Sequence, residues 1–291
     1  MRSCRDVNHE TRHHFYTDFS LLQLVMRHFP EWRRPWSDLP GIIRADLGRL
    51  LILWLYGGIY LDVDYECLQP FEALLRQAEA QGNDLIVGEK HLVHVYLLEH
   101  VNDSMRPFVS NAAMISTPFH PLIGAFLNQT LHNASAALVD CKDAVQCTGP
   151  RPLTRLVHQA LQLEDQMRLA SRSCEVTPPL GSVMVTDFDV LYPELAHWNV
   201  DGAMRDKCQR HPRTRRITAT PTDAFANRSH VHKGCALLAE TQDNATRYVS
   251  SERSVAVHHW RCSSCRKSPM VRLRGSLAFD VVREIPELIV Q

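Results

Sequence analysis

The feature that most constrains this chain is the passage from Ile43 to Asp64, where an apolar helix pattern runs into a short strand pattern ending on two acids. Ile43, Leu47, Leu50 and Trp54 recur at three-to-four spacing, and Leu51 and Leu55 widen the apolar side. The spacing predicts a helix with a broad buried face. Ser37 or Asp38 can cap its start, and Pro40 suits a first turn. Gly57-Gly58 ends it, because glycine supplies left-handed backbone without a Cβ clash. Ile59 to Asp64 then alternates: Ile59, Leu61 and Val63 point to a core, while Tyr60, Asp62 and Asp64 share the opposite side. A buried-face helix feeding directly into such a strand calls for a layered fold, helix against sheet.

The remaining patterns extend that layering. Phe19, Leu22, Val25, Met26 and Phe29 predict a helix before Pro30, followed by a turn segment from Arg33 to Pro40. Helices are expected over Phe71 to Gln81, Pro121 to Leu131 and Pro152 to Gln162. Strands are expected over Asp84 to Gly88, Val109 to Ile115 and Val183 to Val185, with Val255 to Trp260 extended. Helices alternating with strands favour an α/β sheet flanked by helices. Residues 201–227 turn polar, basic and Pro/Thr-rich, as a surface loop or insertion would. The expectation is one domain over residues 1–291.

Lys plus Arg number 32 and Asp plus Glu 32, so there is no general attraction to nucleic acid or to an anionic membrane, and no nucleic-acid partner is expected. No apolar run reaches the ~20 residues of a membrane helix. The stretch from Leu47 to Leu61 is broken by Arg49 and Gly57-Gly58, and the polar start lacks a signal-peptide core. Against a cytosolic reading, five of the nine Asn stand in Asn-X-Ser/Thr: Asn102, Asn128, Asn133, Asn227 and Asn244. Composition alone predicts about one such site. Nine Cys also fit an oxidising compartment. Cys141 and Cys147 can close a small loop. Cys262 and Cys265 form a lone CxxC without the second pair that zinc needs.

The chemistry centres on Asp62 and Asp64. On a strand their Cα atoms stand about 6.7 Å apart with both carboxylates on one side. Two like charges so placed call for a cation or a hydrogen-bond network. A hard divalent ion, Mn²⁺ or Mg²⁺, suits oxygen ligands and leaves positions for phosphate oxygens. Asp46 and Arg49, three apart, share one face of the helix, where a charged pair in so apolar a segment suggests a polar cleft. Loss of a cleft-facing Arg49 would leave the fold intact.

The run from Ile43 to Pro70 resembles the central block of glycosyltransferase family 32, the group with a DXD-containing sugar-binding region that includes initiating α-1,6-mannosyltransferases and lactosylceramide α-1,4-galactosyltransferase. The matching residues are Arg44, Ala45, Asp46, Arg49, the segment YGGIYLDVD from Tyr56 to Asp64, and Glu66-Cys67-Leu68 with Pro70. Weaker matches follow in order: Ser110 to Pro121, Thr148-Gly149-Pro150 with Leu153-Thr154, Leu191-Tyr192-Pro193 and His258-His259-Trp260. The resemblance implies a GT-A fold, with a Rossmann-like nucleotide-sugar-binding sheet flanked by helices. It also implies a retaining transfer of a hexose from a UDP- or GDP-sugar to a glycan or glycolipid acceptor. By resemblance Asp64 ligates the metal and Asp62 touches the metal or the ribose. Asp46 and Arg49 bind donor-sugar hydroxyls, and Tyr60 packs against the nucleotide. One His near the domain's end supplies a third ligand; strand alternation allows only one of His258 and His259 to face the site, and His258 is the choice. Asn111 and His120 match positions near the acceptor side. A Trp usually found after Ser263-Ser264 is absent here.

The competing readings are a catalytically inactive or truncated relative and a metal-dependent phosphohydrolase. The family's usual first strand has no counterpart in the polar segment from Met1 to His14. The expectation is therefore an N-terminally truncated form that binds donor weakly. Its parent would be membrane-anchored in the Golgi or another secretory lumen, through a segment outside this chain.

Overall fold

The computed structural model describes residues 2–132, 143–170, 180–196, 202–210, 229–243, 251–260 and 289–290. Helix α1 (Arg2–Val7) and strand β1 (His14–Phe15) precede α2 (Asp18–His28), α3 (Arg33–Asp38) and α4 (Gly41–Tyr56). The chain continues through β2 (Gly58–Leu61), β3 (Tyr65–Cys67), α5 (Glu72–Ala80), β4 (Leu85–Glu89), α6 (Leu92–Leu97), β5 (Val109–Ser116) and α7 (Pro121–His132). The later elements are α8 (Ala144–Cys147), α9 (Pro150–Ala170), β6 (Val183–Thr186), α10 (Phe188–Leu191), α11 (Gly202–Arg210), α12 (Ser229–Asp243), β7 (Ala256–His258) and β8 (Ile289–Val290).

A four-stranded mixed sheet, ordered β2-β5-β4-β6, forms the middle layer. β5 runs antiparallel to both β2 and β4, and β6 runs parallel to β4. Because β5 is buried along its whole length, each of its faces must be covered. Val109 and Met114 pack with α2, α4, α7 and α9, whereas Ala113 and Ile115 pack with β3, α5 and the segment around Tyr192. The α/β expectation of a sheet flanked by helices is met. Tyr65 and Cys67 of β3 pair with His258 and Ala256 of β7 in a separate ribbon beside the sheet. His14–Phe15 pairs with Ile289–Val290, apart from the central sheet. Between described residues, disulfides join Cys4 to Cys67 and Cys208 to Cys235.

Gly57 is required at the exit of α4. It sits at φ 64°, and a Cβ there would lie 2.7 Å from the backbone of Pro118 and Ser116. Helix and strand therefore meet in a turn that only glycine fits.

Several expectations need correction. The turn segment over residues 33–40 contains α3, and α4 begins on Pro40 without a side-chain cap from Ser37 or Asp38. In α2 the buried residues are Ser20, Leu21, Leu24 and Val25, while Phe19 and Met26 are exposed; the helix leans on α4 by a neighbouring face. Residues 202–210, assigned to a loop, form α11, held to α12 by Cys208–Cys235. Residues 211–228, Cys141, Cys262, Cys265, Ser263 and Ser264 lie outside the described residues, as do Asn133, Asn227 and Asn244. No helix among the described residues is long and apolar enough to cross a membrane.

Candidate functional site

The strand that was to carry both acids stops at Leu61. The Asp62 amide still donates to Ala112 O at 2.8 Å, but Tyr65 N then closes a turn on Asp62 O at 3.1 Å. Val63, assigned to the core, is 65% exposed at this turn. It is the turn, rather than strand alternation, that presents Asp62 and Asp64 together. β3 leaves the turn to pair with β7, whose His258 stands opposite Tyr65. The His258 Nε2 accordingly reaches Asp64 Oδ1 at 3.0 Å across 194 positions of sequence.

Asp62, Asp64 and His258 each offer one ligand atom, all within 4.8 Å of one another. Two carboxylate oxygens and an imidazole nitrogen, partly buried at the end of a sheet, form a donor set that suits a divalent cation with phosphate oxygens completing its shell. His258 is buried, and its Nδ1 has no hydrogen-bond partner. His259 points elsewhere: Nδ1 lies 2.6 Å from Glu194 Oε2 and Nε2 2.9 Å from Glu66 Oε2. Between the two histidines, the geometry brings His258 to the acids.

Asp46 and Arg49 are both 5% exposed and sit beneath Asp62 instead of lining an open cleft. Arg49 is bonded on every side. Its NH1 donates to Asn111 O at 2.6 Å and lies 3.2 Å from Asp62 Oδ1, and NH2 meets Asp46 Oδ1 at 3.0 Å. Asp46 accepts further bonds from Asn111 Nδ2 at 3.0 Å and Thr148 Oγ1 at 2.7 Å. Burial pushes the Asp46 carboxyl above its usual range, and Arg49 and Thr148 work against that rise. Tyr60 donates to Asp62 Oδ1 at 2.8 Å, and the Arg49 guanidinium lies 5.0 Å from its ring centre. Asp62 is thus oriented from two sides. Asn111 belongs to this network. His120 caps α7, where its Nδ1 accepts from Leu122 N at 3.2 Å. Thr148 lies 102 positions from Asp46, and no local pattern connects them.

Trp260 closes the back of the site. It sits at φ 53°, where a bulky side chain is strained. Its indole donates to Glu194 O at 2.8 Å and its ring packs against His258 with centroids 4.3 Å apart. Behind it Lys90, His91 and His94 are buried. Burial lowers Lys90 to about 8, His91 to about 3 and His94 to about 4. Burial raises Glu99, yet hydrogen bonds from His94 and Arg151 outweigh it and hold that carboxyl at about 2.

A pH dependence follows from this layer. An unfolded imidazole takes up its proton near pH 6.5, whereas folded His94 stays neutral down to about 4. Between these values the unfolded chain binds more protons, so stability is present above pH 6.5 and is lost as the pH falls toward 4. The loss is on the order of 3 kcal/mol for one such histidine. Urea unfolding at pH 7.5 and pH 5 should show a lower midpoint at pH 5, with the difference reduced in His94→Gln. Equal midpoints would mean His94 is charged or solvated in the folded chain.

Residues 1–81 match the family described as the glycosyltransferase sugar-binding region containing a DXD motif. The resemblance seen in the sequence is therefore borne out for the part that holds Asp46, Arg49, Asp62 and Asp64. Two relatives come from Schizosaccharomyces pombe. Inositol phosphoceramide mannosyltransferase 3 is 35% identical over 75 residues, covering 25% of this chain and 21% of the relative. Inositol phosphoceramide mannosyltransferase 2 is 26% identical over 157 residues, covering 53% of this chain and 39% of the relative. The matched part of the chain thus spans between a fifth and two fifths of these relatives' length. Among solved structures, PaToxG glycosyltransferase aligns at 19% identity with a TM-score of 0.31, covering 53% of this chain and 45% of that one.

Proposed function

We propose that this chain is a metal-dependent, retaining glycosyltransferase domain that moves a hexose from a UDP- or GDP-sugar to a glycan or glycolipid acceptor. The observation that carries the reading is the convergence of Asp62, Asp64 and His258 at the end of β2, directly above the buried Asp46–Arg49–Asn111 network. In this reading Asp62, Asp64 and His258 hold Mn²⁺ or Mg²⁺. When bound, the ion supplies Lewis-acid stabilisation of the departing diphosphate. Tyr60 and Arg49 fix the Asp62 carboxylate, so little reorganisation is needed as charge develops nearby.

Asp46 and Arg49 would read donor-sugar hydroxyls by exchanging some of the bonds they now make to each other and to Asn111. No protein base is assigned, because front-face attack with retention requires none. The mannosyltransferase relatives make GDP-mannose the first donor to try. The five sequons and the disulfides Cys4–Cys67 and Cys208–Cys235 favour work in a secretory lumen, the Golgi included, for this chain or a longer parent.

Thermal denaturation with a panel of UDP- and GDP-sugars, each with and without Mn²⁺, tests the proposal. A donor present at a hundred times its Kd adds about 2.7 kcal/mol of stability. Stabilisation should require metal and nucleotide-sugar together and be accompanied by slow nucleotide release. Release of inorganic phosphate would identify a phosphohydrolase instead, and no stabilisation by any donor would sink the transferase reading.

A further inference from the structure

The three ligand atoms come from two different layers. Asp62 hangs from the central sheet, its amide bonded to Ala112 O at 2.8 Å. Asp64 leads into β3 and His258 ends β7, in the ribbon beside that sheet. The three atoms fall within 4.8 Å of one another only while the ribbon is fixed against the sheet.

The ribbon is poorly equipped to fix itself. It has the pairs Tyr65 with His258, Glu66 with Val257 and Cys67 with Ala256, and two-stranded pairing so short is marginal. Ala256, Val257 and His258 are all buried, so burial does not distinguish the two faces of β7. A slip of one residue would put Val257 or His259 opposite Tyr65, where His258 now stands. The far end of the ribbon is fastened, since Leu68 N and Gln69 N donate to Val255 O at 2.8 and 3.2 Å and Cys67 is bonded to Cys4. The ligands stand at the near end, where His259 N donates to Asp64 O at 3.1 Å.

The His259 side chain adds a fastening at that near end. Val257 pairs with Glu66, so His259, two positions on, shares the face of Glu66 as its diagonal neighbour. His258 lies on the other face, its ring stacked on Tyr65 with centroids 4.9 Å apart. His259 Nε2 is 2.9 Å from Glu66 Oε2 in the ribbon, and Nδ1 is 2.6 Å from Glu194 Oε2. Glu194, 6% exposed, follows Tyr192, whose hydroxyl accepts from Ala113 N of β5 at 2.9 Å. One imidazole thus ties the ribbon to a segment docked on the central sheet. We propose that His259, with Glu66 and Glu194, is a positioning residue that holds His258 against Asp64 and is itself withheld from the ion. The part that concerns the ion rests on the transferase reading; the contact between His258 and Asp64 does not.

Mn²⁺ titration of the whole chain tests this, followed by electron paramagnetic resonance with nitrogen coupling to the ion read by pulsed methods. In His259→Gln the shorter amide reaches one acid but cannot bridge two, and Mn²⁺ affinity should weaken about tenfold, the scale of outer-shell changes. Glu66→Ala, at a side chain 47% exposed, guards against a folding defect and should weaken affinity about fivefold, the effect of one lost hydrogen bond. Nitrogen coupling should fade in both variants and be absent in His258→Gln. Unchanged affinity and coupling in His259→Gln and Glu66→Ala overturn the proposal. So does a lowered thermal midpoint with native coupling, the mark of a merely structural role. Coupling that persists in His258→Gln and disappears in His259→Gln overturns it too, since His259 is then the ligand. Hydrogen exchange over residues 255–259 without metal reads the fastening independently and should quicken in both variants. A native chain that binds no Mn²⁺ sinks the metal reading; quickened exchange beside that failure retains the fastening, and unchanged exchange overturns it as well.

Discussion

Asp64→Ala is expected to abolish metal-dependent donor binding and to lower turnover by roughly a thousandfold, the scale on which electrostatic stabilisation of a leaving group acts. The carboxylate is one of three ligand atoms within 4.8 Å of one another, and His258 Nε2 lies 3.0 Å from it. Two remaining donors hold a cation poorly, and the imidazole loses the partner that orients it. Asp64 is on a turn. Asp64→Asn keeps the shape and separates charge from packing. Asp62→Ala should be nearly as severe but less clean, because Tyr60 and Arg49 both bond to that carboxylate. Mn²⁺ binding, followed by electron paramagnetic resonance, and donor hydrolysis are the two readouts. Mn²⁺ affinity unchanged in both variants would remove the acids from the metal site.

Much of this site was legible in the sequence because its parts are contiguous. The helix over Gly41–Tyr56, the Gly57 exit and the strand ending near Asp62 follow one another within a single run, and periodicity describes long elements well. β4, β5 and α7 were visible for the same reason. Some short elements were lost, though the strand at Val183–Thr186 was seen. α3 holds Arg33-Arg-Pro-Trp-Ser-Asp, whose proline and polar residues look like a turn; Trp36, 2% exposed, shows that core packing decides the conformation. The face of α2 was misjudged because Phe19 and Met26 are apolar yet unburied, and hydrophobicity reports burial in one direction only.

The pairing of Asp64 with His258 was anticipated only through family resemblance, and the bond from Thr148 to Asp46 was not anticipated at all. Both are contacts between segments far apart in sequence, made by ribbon pairing and helix packing that no local pattern encodes. The depth of Asp46 and Arg49 was likewise hidden. A charged pair on an apolar helix reads as a cleft when nothing shows that Asn111 and Thr148 arrive to saturate it.

That burial changes what removing Arg49 does. The sequence alone suggested lost turnover with an intact fold. Burial works against the guanidinium's charge, but Asp62, Tyr60 and Asp46 outweigh it, so Arg49 stays protonated well above the usual range. Arg49→Ala leaves Asp46 inside α4 with only Thr148 and Asn111 as hydrogen-bond donors. Breaking one partner of such a buried pair typically costs about 3–5 kcal/mol, against no gain from the truncated side chain. For a chain of this length the thermal midpoint should fall by roughly 10 °C. The deficit should depend on pH in a definite direction. Asp46 already has a raised carboxyl, and loss of Arg49 raises it further. In the window between the unfolded and folded values the folded chain binds more protons, so stability declines as pH rises through that window. Lowering the pH therefore narrows the gap between variant and native chain. Asp46→Asn in the Arg49→Ala background should recover part of the loss, because no uncompensated charge then remains. Arg49→Lys keeps the charge and loses the fork that spans Asn111, Asp46 and Asp62, so it should fold nearly normally while donor turnover drops. Urea unfolding of these four proteins across pH, alongside donor hydrolysis, separates the structural part of Arg49 from its part in binding. An Arg49→Ala chain as stable as the native one at neutral pH would place the guanidinium in solvent, and with it the cleft that the sequence first suggested.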